Sequence, residues 1–193
     1  MTVLHGMRLG LLHFMVASCA MVLAFVTCHG LHEINQLWLD QIAPRMHSVF
    51  LPFGVMVLLG WVYGWLALPL ILPAALLSVF WIVGGEAMTG IIVLITVVKV
   101  LSVPVTFALF RWGGMDVRGE GGMANWRGVV MVGLVASVLG NVPRATVGPY
   151  GGGSVVEMTE AMLTATAADV AGLIAVMLIV MLCFRLVRRM GQV

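Results

Sequence analysis

The chain has 193 residues, of which 62% are hydrophobic and only 9% charged, with a formal net charge of +2 at pH 7. So small and dispersed a charge excludes nucleic-acid binding, and the long continuous apolar runs exclude the alternating strands of a membrane barrel. What remains is an all-α, polytopic transmembrane helical bundle, expected to form a single integral membrane domain over residues 1–193 with no room for an attached soluble catalytic module.

Hydropathy predicts spans near residues 9–28, 49–65, 67–84, 88–110, 128–146 and 163–184, about six crossings of roughly 20 residues each. The first follows Arg8 and is too long for the apolar core of a signal peptide. Cys28-His29-Gly30 is also a poor cleavage site, so the helix is expected to be retained. Ala17, Ala20, Ala24 and Cys28 recur at i, i+3, i+7 and i+11 along it. Such a stripe of small residues permits close helix approach, for internal packing or for docking another membrane protein. His13 reads as a hydrogen-bonded packing residue.

Residues 29–47 carry Glu33, Asp40 and Arg45, with Leu31, Ile34, Trp38 and Ile42 at helical intervals. This predicts a short interfacial helix with Trp38 at headgroup level. His29, His32 and Glu33 fall at i, i+3 and i+4, beside Cys28 and with His47 further along, so they form a candidate metal site. A water-facing interfacial helix would carry the same pattern.

Spans two and three contain Pro52, Gly54, Gly60, Gly64, Pro69 and Pro73, which predict bent or broken helices of the kind that often border a binding site. Span four holds Lys99 near its middle, where a charge costs on the order of 3 kcal/mol to insert. The glycine-rich loop 113–122 reads as a flexible connection. It lacks the strand and the Lys-Ser/Thr of a phosphate-binding loop, so no nucleotide site is expected there. Asn141, Pro143 and Arg144 stand near the outer end of span five, the segment 148–154 reads as an irregular outer loop, and span six contributes Thr164, Thr166 and Asp169.

Lys99 and Asp169 can pair across the bundle, either as a lock between helices or as a ligand's counter-charges. Convergence of Lys99, Asn141, Arg144 and Asp169 would form an outward-opening polar cavity suited to a small anionic or zwitterionic molecule. In it Lys99 and Arg144 face the anion, Asp169 is their counter-charge or acceptor, and Asn141 orients the ligand. Alternatively Arg144 snorkels to the outer surface. The three cysteines, Cys19, Cys28 and Cys183, imply no disulfide framework. No nucleophile–base or paired-carboxylate arrangement stands out, so an enzyme is not expected, and the residues point to no particular cofactor.

Arg8, Arg111, Arg118, Arg127, Arg185, Arg188 and Arg189 fall on one side of a six-span chain, against Arg45 and Arg144 on the other with Glu33, Asp40, Glu86, Glu157 and Glu160. Short arginine-rich loops stay cytoplasmic, so both termini are expected to be cytoplasmic.

The stretch Phe50-Leu51-Pro52-Phe53-Gly54 through Gly60, Gly64-Trp65 and Pro69 resembles the Pro-x-Gly and apolar helix of the membrane-associated sensor family of bacterial input domains. Ala168-Asp169-Val170-Ala171-Gly172-Leu173-Ile174 is similar to the start of a late helix in that family. The resemblance implies an integral membrane sensory module, normally fused to a cytoplasmic signalling domain. A second resemblance, carried by Ala20-Met21-Val22-Leu23-Ala24, is to the S components of energy-coupling-factor transporters. The expected function is thus non-catalytic sensing or ligand binding in a bacterial cytoplasmic (inner) membrane, through a membrane or cytoplasmic protein partner. The alternatives are a substrate-capturing component of a small-solute transporter and a structural subunit of a membrane complex.

Overall fold

The computed structural model describes residues 2–39, 49–115, 117, 125–147 and 153–190. These form six α-helices, α1 (Thr2–Leu39), α2 (Leu51–Tyr63), α3 (Ala67–Val83), α4 (Gly90–Trp112), α5 (Trp126–Thr146) and α6 (Val155–Met190), with no strand among them. Five helical stretches are long and apolar enough to cross a membrane: Arg8–Glu33, Leu51–Val83, Gly90–Trp112, Trp126–Thr146 and Val155–Met190. The second of these contains α2, a 3-10 turn at Gly64–Leu66, and α3.

That turn reverses the chain. Near one end of α2, the Cys28 thiol donates to the Val49 carbonyl at 3.4 Å; at the other, His13 Nδ1 and the Tyr63 hydroxyl lie 2.7 Å apart. α2 therefore runs antiparallel to α1. Ser18 Oγ nevertheless donates to the Leu70 carbonyl at 3.4 Å, whereas a straight continuation would have carried Leu70 beyond His13 toward the start of α1. The pivot is Gly64, at φ +61° and ψ −128°, a conformation open to glycine and strained for other residues. Pro52 and Pro69 sit in the first turns of α2 and α3, where proline's missing N–H costs nothing, so neither breaks a helix.

Two helices depart from their expected bounds. α1 continues without interruption through Leu39, so the predicted interfacial helix is, as far as Leu39, an extension of the first helix. No proline separates the two segments, and Gly30 between them lies within the helix without ending it. Asp40, Arg45 and His47, with the rest of that segment, lie outside the described residues, as do most of the glycine-rich loop and residues 148–152. α6 begins two turns before the predicted span because Ser154 and Glu157 form a capping box. Ser154 Oγ accepts from the Glu157 N–H at 3.3 Å, and Glu157 Oε2 accepts from the Ser154 N–H at 2.9 Å. Thr89 and Asn125 cap α4 and α5 by a single bond each, accepting from the backbone N–H of Ile92 and Gly128.

The core is apolar and central: Met21 and Phe25 of α1, Phe53 and Val57 of α2, Ile71 of α3, Val100, Val103 and Phe107 of α4, Val132 of α5 and Leu173 of α6. Around it Leu23, Leu77, Trp81, Leu178 and Leu182 are exposed, the inverse of a soluble surface and the form expected where hydrocarbon is the outer solvent. The small-residue stripe of α1 faces inward. Ala17 and Ala24 are buried and Ala20 and Cys28 half-buried, so the close approach it permits is used within the chain.

Candidate functional site: a buried Lys–Asp–Asn–Ser cluster

Lys99 is the only lysine of the ten basic residues. It lies within the apolar helix α4, in which Thr96, Ser102 and Thr106 return their hydroxyls to backbone carbonyls of the same helix and so need no outside partner. An ammonium has no such recourse. Its three donors find Asp169 Oδ2 at 2.8 Å, Asp169 Oδ1 at 2.9 Å and Asn141 Oδ1 at 3.0 Å.

Asp169 projects from α6 into the same point. Besides Lys99, its Oδ2 accepts from Ser137 Oγ at 2.6 Å and Asn141 Nδ2 at 2.9 Å, while Asn141 Nδ2 also lies 3.2 Å from Ser137 Oγ. Ser137 and Asn141 are one turn apart on α5 and both are buried. α4, α5 and α6 are thus joined by one closed network in which a cation and a carboxylate cancel. Cancellation and full hydrogen bonding are what make burying either charge tolerable. The pair is not symmetric: the Asp169 side chain is 1% exposed and that of Lys99 13%.

Aromatic rings close the remaining side. The ammonium lies 4.9 Å from the centroid of Phe50 and 5.5 Å from that of Phe53, within the range where a ring face attracts a cation. Phe25 meets Phe50 edge-on at 5.8 Å. These rings are held by the docking of α2 on α6. The Phe50 N–H donates to the Ala168 carbonyl at 3.0 Å, and Gly172 lies so close to the Phe50 carbonyl that a Cβ there would overlap it. Gly140 lets α5 approach α4 in the same way, since its Cβ position is 2.9 Å from Ser102 Oγ and 3.3 Å from Lys99 Cα.

Of the four residues expected at the site, Lys99, Asn141 and Asp169 come together, hydrogen-bonded to one another. Arg144 is exposed on the last turn of α5, on the face of Ser137 and Asn141 but outside the cluster. Pro143 stands inside α5 without interrupting it. Thr164 Oγ1 donates to the Glu160 carbonyl at 2.7 Å, while Thr166 Oγ1 is buried without a hydrogen-bond partner. Ser137, Phe50 and Phe53 are additional members. Ser137 was readable as an i, i+4 partner of Asn141 on an otherwise apolar helix, whereas the rings are brought in by the packing of α2 and carry no local signal.

The other candidate site is open to water. His29, His32 and Glu33 are exposed, and His29 Nε2 stands 3.9 Å from Glu33 Oε1. No group of three side chains placed to hold a metal ion occurs among the described residues. His13 makes its hydrogen bond to Tyr63, with the rings edge-to-face at 5.5 Å. No family model, curated protein or solved structure matches this chain.

Proposed function

We propose that this chain is a non-catalytic integral membrane protein of the sensory or ligand-binding class, in which the Lys99–Asp169 centre is the polar site, facing outward, and a protein partner carries the response. The observation that carries the reading is the asymmetry of the ion pair: the carboxylate is 1% exposed while the cation retains 13%. Of the two side chains, that of Lys99 is the one that keeps surface open to the outside. Opening that one pair alters the contact of three helices at once, which is how a small ligand can shift a bundle between two arrangements.

Six crossings with both ends cytoplasmic are part of this proposal. The reversal at Gly64 makes α2 and α3 two passes, although their 13 and 17 residues measure only about 20 and 25 Å, short of the roughly 30 Å of a typical hydrocarbon layer. Arg8 lies near His13, which pairs with Tyr63 at the turn. Gly60 packs on Val103 and Phe107 of α4, a turn from Arg111. The C-terminal end of α6, with Arg185, Arg188 and Arg189, runs toward the same end. Exposed Trp65, Trp112 and Trp126 accompany the arginines there, as interfacial tryptophans do, and exposed Trp81 marks the far end of α3. A bacterial cytoplasmic membrane is the setting the sensor-family resemblance implies. The two stretches that carry that resemblance, one containing Phe50 and the other Ala168, meet through the Phe50–Ala168 hydrogen bond.

A second reading is favoured by the closure of the network: with every Lys99 donor satisfied internally, the cluster serves as a static lock in a structural subunit. Thermal unfolding in detergent across a panel of small anionic and zwitterionic solutes separates the two. Stabilisation of the wild type that is lost in Lys99→Met and Asp169→Asn supports ligand binding. Lowered stability of both variants with no solute response in the wild type supports the lock. Uptake of labelled solute dependent on a co-purified ATPase would instead move the assignment to transport.

A further inference from the structure

Every group in contact with the Lys99 ammonium is one that prefers a cation. Two oxygens of Asp169 and one of Asn141 lie at 2.8–3.0 Å, and two phenyl faces cover the remaining approach at 4.9 and 5.5 Å. Asp169 Oδ2 is further held in place by Ser137 and Asn141, which donate to it from α5 independently of the Lys99 side chain's own helix. Carboxylate, amide oxygen and aromatic ring faces are together the set of groups that recognises ammonium.

We propose, building on the ligand-binding reading above, that Asp169, Asn141, Phe50 and Phe53 form a cage for a primary ammonium, that the Lys99 side chain is its tethered occupant, and that the ligand displacing it is a small zwitterion bearing a primary ammonium. The charge balance selects the class. A simple anion entering the site meets the Asp169 carboxylate. A simple amine can replace Lys99 in the cage but leaves the lysine charged and unpaired within an apolar helix, which is unfavourable. A zwitterion exchanges partners without that penalty: its ammonium pairs with Asp169 and its carboxylate with the released Lys99. Arg144, one turn outward on the face of Ser137 and Asn141, is the second cation such a carboxylate meets.

The test uses the full chain in detergent and reads the unfolding midpoint. Lys99→Ala removes three methylenes and the ammonium, a fragment matched by n-propylammonium. The cage predicts that n-propylammonium chloride raises the midpoint of Lys99→Ala by about 2–4 °C over sodium chloride at equal concentration. Tetramethylammonium, which has no N–H to donate, is predicted to do so less, and the rise disappears in Lys99→Ala/Asp169→Asn. A response to n-propylammonium no larger than that to sodium chloride overturns the cage. In the wild type, glycine, β-alanine and γ-aminobutyrate are compared with n-propylammonium and butyrate, and the zwitterions alone are expected to stabilise. Stabilisation by butyrate equal to that by γ-aminobutyrate refutes displacement by a zwitterion while leaving ligand binding at Lys99 standing. Rescue of Lys99→Ala with no zwitterion response in the wild type keeps the cage and removes the ligand-binding reading on which the displacement rests. Should Lys99→Ala fail to fold, absence of a zwitterion response in the wild type counts against the proposal as a whole.

Discussion

The backbone N–H of Phe50 is hydrogen-bonded to the carbonyl of Ala168 at 3.0 Å, one residue before the aspartate that holds Lys99. The start of α2 is thereby fastened to α6 at the level of the ion pair, and Phe50 and Phe53 are set over the ammonium. One backbone bond in a site made otherwise of side chains thus couples the helix that carries the rings to the helix that carries the carboxylate.

Breaking the pair from either side is expected to be costly, and breaking it from both sides much less so. Lys99→Met leaves Asp169 buried without its cation, and Asp169→Asn leaves Lys99 without its anion, each at about 3–5 kcal/mol. Lys99→Met/Asp169→Asn leaves neither charge. Denaturant or thermal unfolding of the three variants in one detergent checks this through the coupling energy of the cycle. Additive losses would show that the two residues do not act as a pair.

Gly172→Ala is expected to lower stability by about 1–3 kcal/mol, because the new methyl overlaps the Phe50 carbonyl and pushes α2 off α6. Gly30→Ala is the control. Nothing lies within 4 Å of a Cβ there, and in a helix interior alanine is better than glycine by roughly 0.5–1 kcal/mol. Unfolding midpoints moving in opposite directions are the expected result, and equal effects would contradict the close helix crossing.

Ser137→Ala removes a hydroxyl that donates to an ionised carboxylate at 2.6 Å, worth about 1.5–3 kcal/mol. Ser78→Ala removes one that bonds only to the Ala74 carbonyl of its own helix and is expected to change stability by less than half as much. Comparing the two unfolding midpoints separates a contact between helices from one within a helix.

Topology has its own test. Single cysteines placed at Glu86 and Arg111, in a background with Cys19, Cys28 and Cys183 replaced, are expected to react with an impermeant thiol reagent from opposite faces of oriented membranes. Reporters at the two chain ends are expected on the same face as position 111. Ends found in different compartments would remove the six-crossing arrangement and the reversal's role as two passes.

The all-helical class, the positions of the long apolar runs and the identity of the residues costly to bury were all legible in the chain. Burial of apolar surface in lipid and the insertion cost of charge depend on composition and local order alone. The pairing of Lys99 with Asp169 could be anticipated for the same reason, since an ion in hydrocarbon needs a counter-ion and few were on offer. The Ser154–Glu157 capping box was local too and could have been read from its spacing.

Tertiary structure decided the rest. Whether Arg144 joins the cluster depends on which way its side chain leaves α5: it is exposed, although Ala145 beside it is still buried in the bundle. That Phe50 and Phe53 cover the ammonium depends on α2 beginning beside Asp169, set by a backbone bond to Ala168 and by the absence of a side chain at Gly172. Contacts between residues more than 100 positions apart leave no periodicity in the chain, because they arise from the shapes of packed helices and not from the order of residues along any one of them.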